Sequence, residues 1–250
     1  MRLLDRGYGL ARSLWLYHGG LGRRRRLDRF YRDLVPAGGL AFDIGAHVGD
    51  RALSWARLGA RVVAVEPQPD LARFLGWLVR AEPRIELVTA AVADRPGRLT
   101  LHLSPRTPTV STASPAFIAE TGRVPSFAWV RWPQTVEVPA VTLDALIARH
   151  GLPDFVKIDV EGFEEQVLAG LSRPLPALSF EFIPAALGSA CGSIARLEAL
   201  AAYRYNVALG ESFRLLLPDW VPAAAMRAWL AGREPAGPSG DVYARLADRP

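Results

Sequence analysis

The chain has 250 residues, of which 50% are hydrophobic and 22% charged; this balance is typical of one large globular domain and unlike disordered or collagen-like chains. One cysteine, Cys191, excludes a disulfide framework, and with only four histidines beside it no conventional Cys/His zinc site can form. The net charge is +5, and no apolar run reaches the roughly 18 residues of a membrane span.

Residues 1–36 are predicted to form an N-terminal helical extension of two short helices, because apolar residues recur there at three- and four-residue spacings. Asp5, Arg6 and Arg12 interrupt the apolar residues, so the segment is not typical of a signal peptide, and a cytoplasmic location is predicted. The basic cluster Arg23–Arg26 indicates a solvated patch. The alternative is contact with phosphates or with the surface of an anionic membrane.

From residue 37 onwards, short apolar runs alternate with helical stretches, and we predict one domain over residues 37–250. Its first five elements are a strand, a helix, a strand, a helix and a strand, at residues 40–46, 50–60, 61–67, 70–83 and 85–94. This β-α-β-α-β order predicts parallel strands joined by right-handed crossovers.

An alternating strand at 97–104 precedes residues 105–135, which are rich in Ser, Thr and Pro and carry Trp129 and Trp132. A stretch of this length without a regular pattern is typical of a functional loop, so it is a candidate substrate loop. The alternative is that the tryptophans anchor the loop to the core. The later predicted elements are a strand and a helix within 136–151, a strand at 153–162, a helix at 163–171, a strand at 176–184, a helix at 193–205, and strands at 206–217 and 240–246.

The first strand-to-helix turn, "FDIGAHVGD", carries Asp43, Gly45 and Gly49. Close backbone approach and a helix N-terminus favour a nucleotide-like ligand at such a turn. Ala46 and His47 stand where a dinucleotide-binding turn has glycine, so the spacing is not that fingerprint. An acid before the turn suits a cofactor that lacks a pyrophosphate and carries an ammonium group. The alternative is an ordinary turn in which the glycines only shape the backbone.

Glu66 ends the second strand and is predicted to accept hydrogen bonds from both hydroxyls of a ribose, as the corresponding acid does in nicotinamide-binding folds. Together with Asp43 and the two glycines it indicates one nucleotide site along successive strand ends.

Lys157 is the only lysine among 30 basic residues, and it stands in an apolar strand. A buried charge is costly unless it is paired. Alternation along the strand places Lys157, Asp159 and Glu161 on one side, at the strand end where open α/β sheets bind ligands, and Glu181 has a similar place on the next strand. The alternative is a buried Lys157–Asp159 pair, with Glu161 beginning a helix.

The motifs "FDIGAHVGD", "VVAVEPQP", "VTAAVAD", "VTLDAL" and "VKIDVEGFEEQVLAGL" occur in this order, and with them residues 40–181 resemble the FkbM family of S-adenosylmethionine-dependent methyltransferases. The resemblance implies a class I methyltransferase fold, an α/β Rossmann-like sheet of seven mostly parallel strands with an antiparallel last strand and helices on both faces. It also implies methyl transfer to a hydroxyl of a sugar, a glycolipid, a polyketide or a similar natural product. The implied partners are a small-molecule or glycan acceptor and no nucleic acid.

The family's functional positions carry over to residues of this chain. Those implied to bind the cofactor are Asp43, Gly45 and Gly49 at its methionine end, His47 in the same loop, Glu66 at the ribose, and Ala93 or Asp94 at the adenine. His47 stands where the family pattern has asparagine. Those implied to border the methyl group and the acceptor are Asp159 and Glu161.

Two versions of the chemistry stay open. In the first, Glu161 or Asp159 is the general base for the acceptor hydroxyl, and Lys157 holds the carboxylates in place. In the second, Asp159, Glu161 and Glu181 hold a hard cation, although nothing in the sequence requires a metal. Two other classes of function are a non-catalytic cofactor- or partner-binding module and a nicotinamide-dependent oxidoreductase, against which the missing glycines argue.

Overall fold

A computed structural model describes residues 2–247. Residue 1 of the predicted extension 1–36 and residues 248–250 of the predicted domain 37–250 lie outside the described residues. The helices are α1 (Arg2–His18), α2 (Leu21–Tyr31), α3 (Asp50–Arg57), α4 (Pro69–Val79), α5 (Pro115–Thr121), α6 (Leu143–His150), α7 (Glu164–Ala169), α8 (Leu187–Glu198) and α9 (Ala223–Ala231). The strands are β1 (Leu40–Ile44), β2 (Arg61–Val65), β3 (Ile85–Val88), β4 (Ala91–Val92), β5 (Gly97–Leu103), β6 (Gln134–Val141), β7 (Phe155–Ile158), β8 (Ala177–Phe182), β9 (Tyr203–Leu209) and β10 (Gly240–Leu246). Short 3₁₀ turns lie at Pro108–Val110, Pro125–Phe127 and Pro184–Ala186.

Within residues 2–247, the main sheet has seven strands in the order β3-β2-β1-β7-β8-β10-β9. Neighbouring strands from β3 to β8 run parallel, and β10 runs antiparallel to both β8 and β9. The predicted class I methyltransferase fold, with its mostly parallel seven-stranded sheet and antiparallel last strand, is confirmed. The strand order reverses between β1 and β7, so their carboxyl ends flank the point at which such sheets bind ligands.

Helices cover both faces of this sheet, and an apolar core lies on each side. On one side Phe42 and Val156 belong to a core that α6, α7, α8 and α9 complete. On the other side Trp55 packs edge-on against Tyr31 and Phe155, with ring centroids 5.2 and 5.7 Å away. Tyr31 belongs to α2 and is 1% exposed, so the second predicted N-terminal helix contributes directly to the core.

The predicted strand at 85–94 is wrong in one respect, because it is two strands in two sheets. After Val88 the chain turns, and the N–H of Ala90 donates to the Val88 carbonyl at 3.2 Å. β4 then pairs parallel with β6 in a separate three-stranded sheet of order β4-β6-β5. Buried apolar residues occur on both sides of the turn, so the apolar pattern carries no sign of it.

Residues 105–135, predicted to lack regular structure, contain α5 between two 3₁₀ turns. Ser114 caps α5 by accepting a hydrogen bond from the N–H of Phe117 at 3.1 Å. Phe117 is buried, and Phe127 and Trp132 pack edge-on against it at centroid distances of 6.1 and 6.5 Å. The helix is too short to show an apolar period; Ser114 is its N-cap and Pro115 stands in its first turn.

The C-terminal third departs from prediction at three places. The helix predicted at 193–205 begins earlier and ends at Glu198, because Tyr203 and Tyr205 are buried on either side of exposed Arg204, the two-residue period of a strand. The predicted strand at 206–217 therefore begins earlier, as β9, and stops at Leu209. Helix α9 was not among the predicted elements.

None of the described helices has both the length and the apolar character needed to cross a membrane.

Candidate active site

A cavity of about 270 Å³ opens at the carboxyl ends of β1, β2, β7 and β8. The predicted site residues that line it are Asp43, Gly45, His47, Glu66, Lys157, Asp159, Glu161 and Glu181. The sheet therefore gathers residues from four separate strand ends into one space. Gly49, Ala93 and Asp94, which are also among the described residues, do not line the cavity.

Asp43 stands in β1, a strand in which every residue is buried, and is itself 2% exposed. Its Oδ2 accepts a hydrogen bond from the N–H of Ala52 in the first turn of α3, at 3.1 Å. Burial raises the pKa of Asp43 to about 7, although Lys157 on the neighbouring strand favours the ionised form. A carboxyl group is thus fixed at the wall of the cavity, with its charge poorly compensated.

Both glycines of the first turn have positive φ angles that favour glycine, and Gly45 is also required by packing. Gly45 has φ of +84°, and a Cβ at this residue would lie 1.9 Å from the carbonyl oxygen of Asp159. Gly49 has φ of +77° and would place a Cβ 2.5 Å from Leu75 Cδ1. The ends of β1 and β7 meet at Gly45, so this glycine allows the first strand-to-helix turn to lie against the end of β7.

His47 also has a positive φ, +51°. Asparagine and histidine are both enriched in this left-handed region, which gives a backbone reason why histidine stands where the family pattern has asparagine. The N–H of His47 donates to Glu66 Oε2 at 2.8 Å, and the ring packs edge-on against Tyr17 at 5.4 Å. Burial lowers the pKa of His47 to about 4, so the ring is neutral at physiological pH.

Glu66 is 2% exposed and is held by two backbone groups. Oε2 accepts the N–H of His47, and Oε1 accepts the N–H of Gln68, both at 2.8 Å. Burial raises the pKa of Glu66 to about 7, against the effect of these two donors. Each carboxylate oxygen has more than one lone pair, so both oxygens can accept a further hydrogen bond from a ligand in the cavity.

The residues implied to contact the adenine lie just outside the cavity. Ala93 is buried, and its N–H donates to the carbonyl of Val141 at 2.9 Å. The Asp94 side chain is 48% exposed. The residues of this segment that line the wall are Ala90, Ala91 and Val92, immediately before them.

Lys157 is 1% exposed and lies between two acids. Its Nζ donates to Asp159 Oδ2 at 2.5 Å and lies 3.5 Å from Asp241 Oδ1 on β10. Burial alone would lower the pKa of Lys157, but the two carboxylates raise it well above its usual value. In return, Lys157 lowers the pKa of Asp159 despite burial. Sequence reasoning did not find Asp241, because this acid reaches the lysine only through the insertion of β10 beside β8.

Glu161 lies beyond the end of β7 with φ of +56°. Its carbonyl oxygen accepts a hydrogen bond from Thr112 Oγ1 at 2.6 Å, which ties the 105–135 segment to the site. Burial, followed by repulsion from Asp159 and Glu164, raises the pKa of Glu161 well above its usual value. The alternative in which Glu161 begins a helix is wrong, since α7 begins at Glu164.

Glu164 was not predicted, and it is the acid that shapes this loop. It is 1% exposed, and its Oε1 accepts the N–H groups of Val160 and Gly162 at 3.2 and 3.1 Å. Oε2 accepts the hydroxyl of Ser189 at 2.7 Å. The sequence signal was present, because a glutamate two residues after a glycine and at the start of a helix is suited to such contacts.

The roof of the cavity comes from the N-terminal helices. Tyr17 of α1 lines it, and the Arg51 and Arg23 guanidinium groups lie 5.8 and 5.2 Å from the centre of its ring. Arg51 pairs with Asp50 and Glu211 at 2.9 and 2.7 Å, and Arg23 pairs with the same two acids at 2.9 and 2.6 Å. Arg23 is therefore committed to the roof and is not part of a free basic patch.

Residues 105–135 supply a side wall, through Pro108, Thr109, Ser111 and Ala113. The tryptophans of the segment do not line the cavity. Trp132 donates to the carbonyl of Val110 at 2.7 Å and packs on the core of the segment, and Trp129 is 59% exposed.

Comparison with known proteins gives one family. The model of the methyltransferase FkbM domain matches residues 43–206, which is more than half of the chain. No protein among those with curated descriptions matches the sequence.

Similar solved structures include an O-methyltransferase from Bacillus cereus in complex with SAH, with 13% identity, a TM-score of 0.48 and coverage of 95% of this chain and 90% of that one. A putative O-methyltransferase from Klebsiella pneumoniae has 11% identity, a TM-score of 0.48 and coverage of 95% and 89%. A precorrin-6y C5,15-methyltransferase from Geobacter metallireducens GS-15 has 13% identity, a TM-score of 0.45 and coverage of 90% and 86%.

Proposed function

The chain belongs to the FkbM methyltransferase family and is an S-adenosylmethionine-dependent methyltransferase; from this premise we propose that its acceptor is a hydroxyl of a sugar, a glycolipid or a similar natural product. The observation that carries the proposal is that Glu66, the acid predicted to bind the ribose, lines the same cavity as Asp159, Glu161 and Glu181. Family membership also sets aside the nicotinamide-dependent oxidoreductase.

The residues of the first two strand ends fit the cofactor. S-adenosylmethionine supplies a methyl group on a positively charged sulfur, and it carries an ammonium group and a ribose. We propose that Asp43 holds the ammonium and that Glu66 accepts hydrogen bonds from the ribose hydroxyls through its unused lone pairs. Gly45, His47 and Gly49 shape the loop between them, and Ala93 and Asp94 stay predicted neighbours of the adenine.

At the other end of the cavity, the carboxylates are proposed to bind the acceptor hydroxyl and take up its proton. The two predicted candidates for the base differ in their surroundings. Lys157 lowers the pKa of Asp159, which makes this carboxylate the weaker base, whereas burial and neighbouring acids raise the pKa of Glu161. We therefore assign the proton to Glu161 and a positioning role to Lys157.

Alignment of the acceptor oxygen with the methyl group is the larger part of the catalysis. Correct placement of two reactants contributes about 7–11 kcal/mol, and a positioned base adds about 10²–10⁴-fold. The wall at Pro108 and Ser111, bound to Glu161 through Thr112, is proposed to place the acceptor.

The test is methyl transfer from S-adenosylmethionine with a labelled methyl group to a panel of sugars, glycolipids and polyketide alcohols. A labelled, base-stable ether on one acceptor class is the expected product, and its formation by Glu161→Gln is expected to be strongly reduced. Cofactor binding without transfer to any hydroxyl, but with transfer to a nitrogen or carbon acceptor, would refute the hydroxyl assignment. Cofactor binding without transfer to any member of the panel would refute the proposed acceptor classes.

A further inference from the structure

Negative charge is in excess at the acceptor end of the cavity. Asp159, Glu161 and Glu181 each offer a carboxylate oxygen, and these oxygens lie within 4.8 Å of one another. Asp241 stands directly opposite Glu181 across the β8–β10 pair, and like charges in this arrangement destabilise a sheet. Lys157 neutralises one of these acids at close contact.

Arginine does not neutralise the remaining acids of this cluster. Arg51 lines the same cavity, but both ends of its guanidinium group are bonded, Nη1 to Asp50 and Nη2 to Glu211. The acids at the end of β7 and β8 therefore outnumber the cations bonded to them.

Two of the three acids also have an unused oxygen. Among the described residues, Glu161 Oε2 and Glu181 Oε2 are buried atoms with no hydrogen-bond partner. Glu161 is 8% exposed, and its Oε2 is buried. A buried acceptor without a partner costs about 1–3 kcal/mol, more when it is charged. Two such oxygens in one cluster indicate that a ligand with positive charge completes the site.

The spacing fits a hard cation. Metal–oxygen distances of about 2.1–2.4 Å, between those of Mg²⁺ and Ca²⁺, place oxygens on opposite sides of the ion about 4.2–4.8 Å apart. Carboxylate oxygens are the ligands such ions prefer, and the cavity leaves further positions of the ion open to water or to an acceptor. Histidine and cysteine are not members of the cluster, so softer metals are not favoured.

We propose that Asp159, Glu161 and Glu181 bind one divalent hard cation, Mg²⁺ or Mn²⁺, at the acceptor end of the cavity. The inference rests on the proposed function for its purpose, which is to hold the acceptor hydroxyl and make it more acidic.

The experiment titrates the purified full chain with MnCl₂, without cofactor or acceptor, and follows free Mn²⁺ by its electron paramagnetic resonance signal. We expect one bound equivalent that Mg²⁺ displaces. Glu161→Gln and Glu181→Gln are expected to lose it, whereas Glu165→Gln, an exposed acid on the adjacent helix, is expected to keep it. Wild-type protein that leaves the Mn²⁺ signal unchanged, or full binding by both cluster variants, would overturn the proposal.

Thermal unfolding separates loss of the site from loss of the fold. Removal of a crowded charge is expected to leave the melting temperature of Glu181→Gln equal to or above that of the wild type without metal, while the rise that Mn²⁺ causes disappears. A Glu181→Gln protein that still gains stability from Mn²⁺ contradicts the site. Because neither cofactor nor acceptor is present, failure of this test leaves methyl transfer intact, and failure to find an acceptor leaves the metal result intact.

Discussion

Replacement of Lys157 by methionine tests the arrangement on which the site is built. The side chain is 1% exposed, and Nζ contacts Asp159 at 2.5 Å and Asp241 at 3.5 Å. Removal of one partner of a buried ion pair costs about 3–5 kcal/mol, because the other charge stays buried. The Asp159 side chain is 33% exposed and can be hydrated, whereas Asp241 is 12% exposed. We therefore expect the free energy of unfolding to fall by about 3 kcal/mol, mainly because Asp241 stays buried without its partner.

For a domain of this size, 1 kcal/mol corresponds to about 2–4 °C, so the melting temperature of Lys157→Met should fall by about 6–12 °C. Differential scanning calorimetry measures this fall. Addition of Asp241→Asn to the methionine variant should recover most of it, and Asp159→Asn should recover less. Lys157→Arg keeps the charge but brings a larger planar group, and it should lose stability or activity. A methionine variant that melts at the wild-type temperature would refute the reasoning, as would the absence of recovery by Asp241→Asn.

Three further predictions concern the cofactor, the chemistry and pH. Glu66→Ala should weaken S-adenosylmethionine binding about 10- to 100-fold in isothermal titration calorimetry, the loss expected for hydrogen bonds to a charged group, while exposed Glu234→Ala should leave it unchanged; equal affinity in both variants would remove Glu66 from the ribose. Glu161→Gln should lower kcat about 10²–10⁴-fold with little change in the cofactor Kd, whereas Glu165→Gln should not; full turnover by Glu161→Gln would exclude it as the base. Asp43 and Glu66 have folded-state pKa values of about 7, above the unfolded values of about 4, so at pH values between about 4 and 7 the folded state binds more protons than the unfolded state. The free energy of unfolding of the cofactor-free protein should therefore fall as pH rises from about 5 to 8. A Glu66→Gln variant whose free energy of unfolding, measured by urea titration, changes with pH as in the wild type would contradict this.

Much of the site could be predicted because its residues violate the local pattern. Asp43, Glu66 and Lys157 are charged groups in otherwise apolar strands, and strand order alone brings their ends together. Lys157 and Asp159 are two residues apart, so alternation along the predicted strand at 153–162 places them on the same side. Each of these features depends on a short segment of sequence, so the local sequence is enough to predict it.

What could not be predicted depends on contacts between distant segments. Asp241 reaches Lys157 only because β10 enters the sheet beside β8, and Tyr17 reaches the cavity because α1 folds over it. The division between β3 and β4 is likewise decided by β6, which offers β4 a second partner. In each case the local apolar periodicity does not distinguish the observed arrangement from the predicted one, and the contact with a distant segment decides which arrangement forms.

The position of β10 between β8 and β9 has a consequence for how the sheet is assembled. Side chains of a strand alternate between faces, so a slip of β10 by one residue against β8 would turn Asp241 to the opposite face. Direct pairing of β8 with β9, which are closer along the chain, would leave the place of Asp241 empty. In either misassembled sheet Lys157 stays buried without one of its two carboxylate partners. The contact between Lys157 and Asp241 therefore favours the observed position of β10, because a buried charge is costly when it loses a partner.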